Sequence, residues 1–238
     1  EKAFAVNHGQ AVEMIDAARR NERLLMEAMW SWFMPGWHEL RRRVKDGAIG
    51  EITSIDANFA ITIPDPQGRH RRADLTGGAL LDLGIYPLSI ARFLLGEPTD
   101  VERDVRALAV LNDDGVDTRL SGTMRHASGA LTTFSTSLDA TSDLTARIVG
   151  TGGQIVVGAP FWFPTEFTIS PVEGREPTEP ETVACPNRGL AHEVEHVMER
   201  IAAGEIESDI QTWDATLANM ALMDEIRRQV GVVYPEEH

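Results

Sequence analysis

Two pairs of residues in this sequence have the type and spacing to do chemistry. Asp82 and Tyr86 stand four positions apart in an apolar stretch that reads as a helix, so they share a face about one turn apart. A carboxylate beside a phenol can bind a hydroxylated ligand, or hold and move a proton at its oxygen. A phenol with an ordinary pKa of about 10 is a poor base at neutral pH, and a nearby ammonium would change that. The same spacing equally suits a polar pair at the end of a helix packed on a sheet. The second pair lies in His192-Glu193-Val194-Glu195-His196, a literal H-E-x-x-H. On a helix it puts two imidazoles on one face with a glutamate as base, as in a zinc peptidase. Against zinc stand the charged Glu195 at a position usually uncharged and the lack of a recognisable third ligand downstream. No metal is assigned, and the zinc peptidase stays as the lesser alternative. Gly150-Thr151-Gly152-Gly153 runs into a strand rather than a helix, which makes it a hairpin turn and not a phosphate loop.

The elements that must position these residues follow from periodicity and punctuation. Asn7 is a good N-cap, and Ala11, Met14, Ile15 and Ala18 recur at helical spacing up to Asn21. Leu24 to Trp30 is a short apolar run that reads as a buried strand. Pro35 opens a second helix, with Trp37, Leu40 and Val44 on one face, and Gly47 closes it. Ile49 to Ile63 alternates as a long strand, and Pro64 to Thr76 is a polar, basic loop. Its Arg69, Arg71 and Arg72 read as solvated, with a phosphate or the substrate as the other possibility. Gly77 and Gly78 precede the apolar helix Ala79 to Leu95, which carries Asp82 and Tyr86.

Beyond Val101 come short strands at Val105 to Leu111, Thr118 to Arg125, Ala130 to Leu138, Thr145 to Val149, Gln154 to Val157 and Phe167 to Ser170. Turn signals separate them, which favours antiparallel pairing. Helices at Leu190 to Ala203 and Trp213 to Val230 finish the chain, and Pro171 to Pro180 reads as a mobile loop. The fold class is α+β: a large, mainly antiparallel open sheet with helices on one face.

Charge and cysteine content exclude some partners. A net charge of −15 argues against a nucleic-acid or anionic-membrane surface, which needs clustered Lys and Arg. The single cysteine, Cys185, excludes an internal disulfide framework and fits a reducing, cytoplasmic compartment. No apolar run reads as a membrane helix and no signal peptide is recognisable.

Several segments, in order, resemble the Gfo/Idh/MocA family of oxidoreductases. They are Glu1-Lys2-Ala3-Phe4-Ala5, close to that family's Glu-Lys-Pro motif; Leu25-Met26-Glu27-Ala28-Met29-Trp30; and Gly47-Ala48-Ile49-Gly50-Glu51. The most specific is Gly77-Gly78-Ala79-Leu80-Leu81-Asp82-Leu83-Gly84-Ile85-Tyr86-Pro87. Gly150-Thr151-Gly152-Gly153 and Gly231-Val232-Val233-Tyr234-Pro235 complete the set. The tyrosine at position 86 is similar to the branch of dihydrodiol dehydrogenases and NADP-dependent D-xylose dehydrogenases. Two departures fall near the implied pocket: Ala3 replaces a proline, and Trp32 stands where that branch usually has Arg.

The resemblance implies an amino-terminal Rossmann domain for NADP or NAD, followed by a sheet domain that closes over the nicotinamide. Residues 1–31 would then be the tail of the Rossmann domain and residues 32–238 the substrate-binding and dimerisation domain. About 120 residues would be expected upstream, or a partner chain over the exposed edge. It implies Tyr86 as the proton-transfer group, Lys2 as its electrostatic partner and Asp82 as an anchor for substrate. Glu1, Lys2 and Trp30 would contact cofactor, and Trp30, Asp82 and Tyr86 would contact a sugar, polyol or diol. A homodimer through the open sheet face is expected, with a non-catalytic sheet module for dimerisation or small-molecule binding as the alternative function.

Overall fold

The computed structural model describes residues 1–171, 180–185 and 189–237. Helix α1 (His8–Arg20) begins where the Asn7 side chain accepts the Gln10 N–H, and its Ala11, Ile15 and Ala18 are buried. After it the chain runs extended through Leu24 and Ala28 and turns at Trp30–Phe33. The strand expected at Leu24 to Trp30 does not form, because no described strand lies beside it. Its backbone instead donates from Leu25 to the Ile206 carbonyl at 3.2 Å and from Ala28 to the Glu1 carbonyl at 3.4 Å. Helix α2 (Pro35–Lys45) starts on its proline and buries Trp37 and Leu40.

One eight-stranded sheet follows, in the order β2-β3-β4-β1-β5-β6-β7-β8. Its strands are β1 (Ile52–Ala60), β2 (Val105–Leu111), β3 (Asp117–Arg125), β4 (Leu131–Ser137), β5 (Ala146–Gly150), β6 (Gly153–Val157), β7 (Glu166–Pro171) and β8 (Glu181–Thr182). Every pairing is antiparallel except β1 with β4, where Ser54 faces Leu131 in parallel register. The fold is α+β, as the alternating pattern implied. Gly150 pairs with Gly153 across the β5–β6 turn, so the glycine-rich tetrad is a hairpin. Most of the loop expected at Pro171 to Pro180 lies outside the described residues.

Strand alternation gives the sheet a covered face and an open one. Ile55, Ala57 and Phe59 of β1, Leu120 and Met124 of β3 and Phe134 of β4 are buried beneath helices. These are α3 (Ile85–Leu95) and α6 (Trp213–Val230), the latter capped by Thr212 and closed by Gly231 at φ 81°. The short α4 (Val101–Asp104) leads into β2, and α5 (Leu190–Ala202) lies against the Trp30–Phe33 turn. On the open face Leu108, Val110 and Leu131 are exposed among polar neighbours. The stretch Ala73–Leu95 is long and apolar enough to cross a membrane by length and composition, which sequence inspection missed. It is mostly buried inside the fold, as a core helix would be.

Candidate active site

The helix of Asp82 and Tyr86 starts with a wider turn than its sequence suggested. Leu80–Gly84 is π-helical and passes directly into α3. Single π turns are uncommon and recur at functional sites, where they re-aim side chains. Gly77 and Gly78 make this start possible. A Cβ on Gly77 would press on the backbone of Arg69, His70 and Arg72 at 2.6–2.8 Å, and Gly78 adopts φ 126°. The Asp117 carboxylate accepts the Leu80 N–H at 2.7 Å, supplying the cap that this helix otherwise lacks.

Lys2, Asp82, Tyr86 and Trp30 do converge. The Lys2 ammonium donates to the Asp82 carbonyl at 2.5 Å and to its carboxylate at 3.2 Å, and lies 5.1 Å from the centre of the Tyr86 ring. It therefore pairs with the carboxylate and covers the phenol ring. The Lys2–Ala3 peptide bond is cis. Burial works to raise the Asp82 pKa, but Lys2, then Arg69 and His70, hold the carboxyl below its usual range. Tyr86 goes the other way: burial pushes it up to about 12, opposed by the Trp30 hydrogen bond and assisted by the Asp82 charge. The Trp30 indole donates to the Tyr86 oxygen at 3.0 Å. That contact occupies a lone pair of the phenol and leaves its own hydrogen to point elsewhere.

Other expected residues sit apart. Glu1 is exposed and its carboxylate accepts the Lys2 backbone N–H at 2.8 Å. Trp32 is buried away from the pair, donating to the Ser89 carbonyl at 3.2 Å. Of the three loop arginines only Arg69 approaches the site, 3.4 Å from the Asp82 carboxylate. Arg71 instead ties the loop to the sheet through the Ile63 and Leu138 carbonyls, each at 3.1 Å, and Arg72 pairs with Asp74.

Several site residues went unnoticed in the sequence. His70 places Nε2 3.2 Å from the second Asp82 oxygen, and burial lowers its pKa. Phe59 and Trp162 stack at 3.7 Å between ring centres, 5.3 and 6.0 Å from the Tyr86 ring, and Phe163 lies 5.9 Å from Trp30. An aromatic wall thus stands around the phenol, assembled from β1, the segment before β7 and the Trp30 turn. The only hint was the Phe161-Trp162-Phe163 run, whose distance along the chain hid its destination. A cavity of about 330 Å³ is lined by Lys2, Asp82, Arg69, His70, Gln10 and Thr76, among others.

The H-E-x-x-H residues do not converge in this way. The His196 imidazole hydrogen-bonds the Ser208 hydroxyl at 2.8 Å and packs on Phe33, while His192 Nδ1 lies 3.7 Å from Glu195. Among the described residues no group of three His, Cys, Asp or Glu is placed to hold a metal ion.

Residues 37–156 match the model of the GFO/IDH/MocA C-terminal domain. The chain belongs to the GFO/IDH/MocA family. It is 33% identical over 244 residues to trans-1,2-dihydrobenzene-1,2-diol dehydrogenase of Danio rerio, covering all of this chain and 71% of that protein. It is 29% identical over 266 residues to D-xylose 1-dehydrogenase (NADP(+)) of Hypocrea jecorina, covering 99% of this chain and 67% of the relative. Among solved structures, aldose-aldose oxidoreductase from Caulobacter crescentus, complexed with glycerol, superposes with a TM-score of 0.83. Its identity is 24%, over 97% of this chain and 68% of that one, and its likeness bears on the fold alone.

Proposed function

We propose that this chain is the substrate-binding part of an NADP- or NAD-dependent dehydrogenase acting on a sugar, polyol or diol. The observation that carries this is the phenol of Tyr86, fixed by the Trp30 N–H beside the Lys2–Asp82 pair and walled by Phe59 and Trp162. Flat aromatic walls suit the apolar face of a ring, and the polar triad suits its hydroxyl groups. Both relatives named above are dehydrogenases, one of a diol and one of a sugar. A phenol with its pKa raised holds its proton at neutral pH. It donates that proton to a carbonyl oxygen as the carbon is reduced, and the alcohol returns it in the reverse direction. The Trp30 N–H then stabilises the phenolate, while Lys2 and Asp82 orient the reacting oxygen.

The nicotinamide group supplies the hydride acceptor or donor when bound. The cavity beside Lys2 fits one end of such a cofactor in size and charge, with Lys2 and Arg69 as its cations and Gln10 and Thr76 as hydrogen-bonding groups. Glu1, beside Lys2, and Trp30, on the phenol side, complete the proposed cofactor contacts. Residues 1–31 are proposed as the tail of the cofactor-binding domain. Support comes from an apolar stripe on α5, exposed at Leu190, Val194, Met198 and Ile201, beside the extended Leu24–Ala28 segment. The open sheet face, with Leu108 83% exposed, is proposed as the homodimer surface.

The test is nicotinamide absorbance in the complete polypeptide with a panel of cyclic diols and aldoses. Turnover of at least one, abolished in Tyr86→Phe, is the expected outcome. No turnover and no quenching of NADPH fluorescence would leave the non-catalytic sheet module as the better account.

A further inference from the structure

The segments that carry Lys2 and Asp82 come from distant parts of the sequence, and no strand or helix joins them directly. Both are tied instead to the carboxy-terminal tail. Just beyond Lys2, the Asn7 side-chain amide donates to the Glu237 carboxylate at 3.0 Å. Just before Asp82, the Gly77 carbonyl accepts the buried Tyr234 hydroxyl at 2.6 Å. Tyr234 and Glu237 are joined to each other, because the Tyr234 N–H donates to Glu237 at 3.0 Å. The Arg227 guanidinium completes the unit, donating to both Glu237 oxygens at 2.7 and 2.9 Å and to Asp224 at 2.8 Å, and lying 5.0 Å from the centre of the Tyr234 ring. Asp224 in turn accepts the His8 N–H at 2.9 Å, a second tie to the start of α1.

Arg227 is 4% exposed, and its guanidinium holds the Glu237 carboxyl down at about 2. An ion pair this deep, made through both terminal guanidinium nitrogens, is costly to break, which suits a fixed spacer.

We infer that Tyr234, Glu237 and Arg227 are positioning residues: a strut that sets the Lys2–Asp82 contact by holding the backbone on either side of it. This rests on the proposed role of Lys2 and Asp82 at the reacting oxygen.

Tyr234→Phe and Glu237→Gln, made singly and together in the complete polypeptide, test it. The Asp82 carboxyl is followed by carbon-13 NMR, and Lys2, Arg69 and His70 are the charged or titratable groups that face it. In each single variant Asp82 is expected to titrate at higher pH as Lys2 withdraws. Amide exchange at Leu80–Asp82 and Phe4–Val6 should quicken about fivefold or more. Turnover should fall about tenfold with KM little changed, and the double variant should add little to the larger single effect. An unmoved Asp82 titration in both variants, or fully additive exchange effects, overturns the strut. If either variant fails to fold, Asn7→Asp makes the same test, since it keeps the α1 cap and cannot donate to Glu237. Should the native protein turn over no sugar or diol while Asp82 still shifts in the variants, the strut stands and the dehydrogenase assignment falls.

Discussion

Asp82 with Tyr86 and His192 with His196 are both pairs set four positions apart on helices. At the first pair, groups from five separate stretches of chain arrive within hydrogen-bonding or ring-packing distance: Lys2, Trp30, the loop residues Arg69 and His70, Phe59 of β1, and Trp162 of the segment before β7. At the second pair the two imidazoles share no partner: His192 lies near Glu195 and the Cys185 thiol, while His196 meets Ser208, Asp209 and the Phe33 ring. Spacing along one helix brings two side chains to one face. Only the tertiary fold decides whether anything meets them there, so a local motif weighs less than convergence from distant segments.

The largest effect that would break this contrast is catalytic. Tyr86→Phe removes the phenol proton and leaves the ring in its aromatic wall, so turnover should fall about 10³-fold with substrate KM within about threefold. His192→Ala should change neither quantity by more than about twofold, and a chelator should leave turnover intact. Steady-state kinetics on both variants decides the matter. A metal-dependent activity lost in His192→Ala would reverse the two assignments.

The next effect sharpens the first pair through its supporting carboxylate. Asp117 is fully buried, and burial pushes its carboxyl up to about 7 against the lowering pull of the Leu80 N–H. The folded pKa lies above the unfolded value, so between about pH 4 and 7 the folded state binds more protons than the unfolded one. Its contribution to stability is complete below the unfolded pKa and is lost as pH rises towards 7. At about 1.4 kcal/mol per pKa unit the decline is on the order of 2–4 kcal/mol across that window. Urea unfolding of the native protein and Asp117→Asn should show the slope in the first and a flatter profile in the second. Glu27, raised to about 7 chiefly by burial, adds a slope of the same sign that Asp117→Asn leaves in place.

Much of this architecture was legible in the sequence, for reasons that also mark the limits. Alternating apolar residues placed the sheet strands, and Asn7, Pro35 and Gly231 act at helix ends through local hydrogen bonds and dihedral preferences. Lys2, Asp82 and Tyr86 were reached because they lie in motifs a family resemblance could carry. Leu24–Trp30 failed as a strand because strand formation needs a neighbour, which composition does not report. The π turn at Leu80–Gly84 was hidden because it depends on Asp117 and the Gly77–Gly78 approach, both remote or backbone effects. Phe59, His70 and Trp162 were hidden because an aromatic or a histidine in an apolar run looks the same whether it lines a core or a site.

Arg69 and Arg71 offer a finer test of convergence within one loop. Arg71 donates to two carbonyls and to Asp139, so Arg71→Ala should cost about 1–3 kcal/mol of stability and shift kinetics little. Arg69 is mostly exposed and its ion pair with Asp82 is long, so Arg69→Ala should leave stability within about 0.5 kcal/mol. Its effect should appear in the cofactor KM. Thermal unfolding and cofactor titration separate the two.

The smallest expected effect concerns the wall itself. Trp162 stacks on Phe59 at an interplanar angle of 8° and is half-buried, so one of its edges remains available to a ligand. If the wall grips the apolar face of the substrate equally in ground and transition states, Trp162→Ala raises KM and spares kcat. A loss of about 1.4 kcal/mol corresponds to a tenfold rise in KM, within the range for a buried aromatic contact. The rise should be larger for a cyclic diol with a flat unsaturated ring than for a saturated aldose, because the flat ring has more face to lose. An equal rise for both ring types would make the wall a general apolar lining. A fall in kcat without a rise in KM would instead show that Trp162 acts through Tyr86, which it faces at 6.0 Å, and so belongs to the converging group rather than to its enclosure.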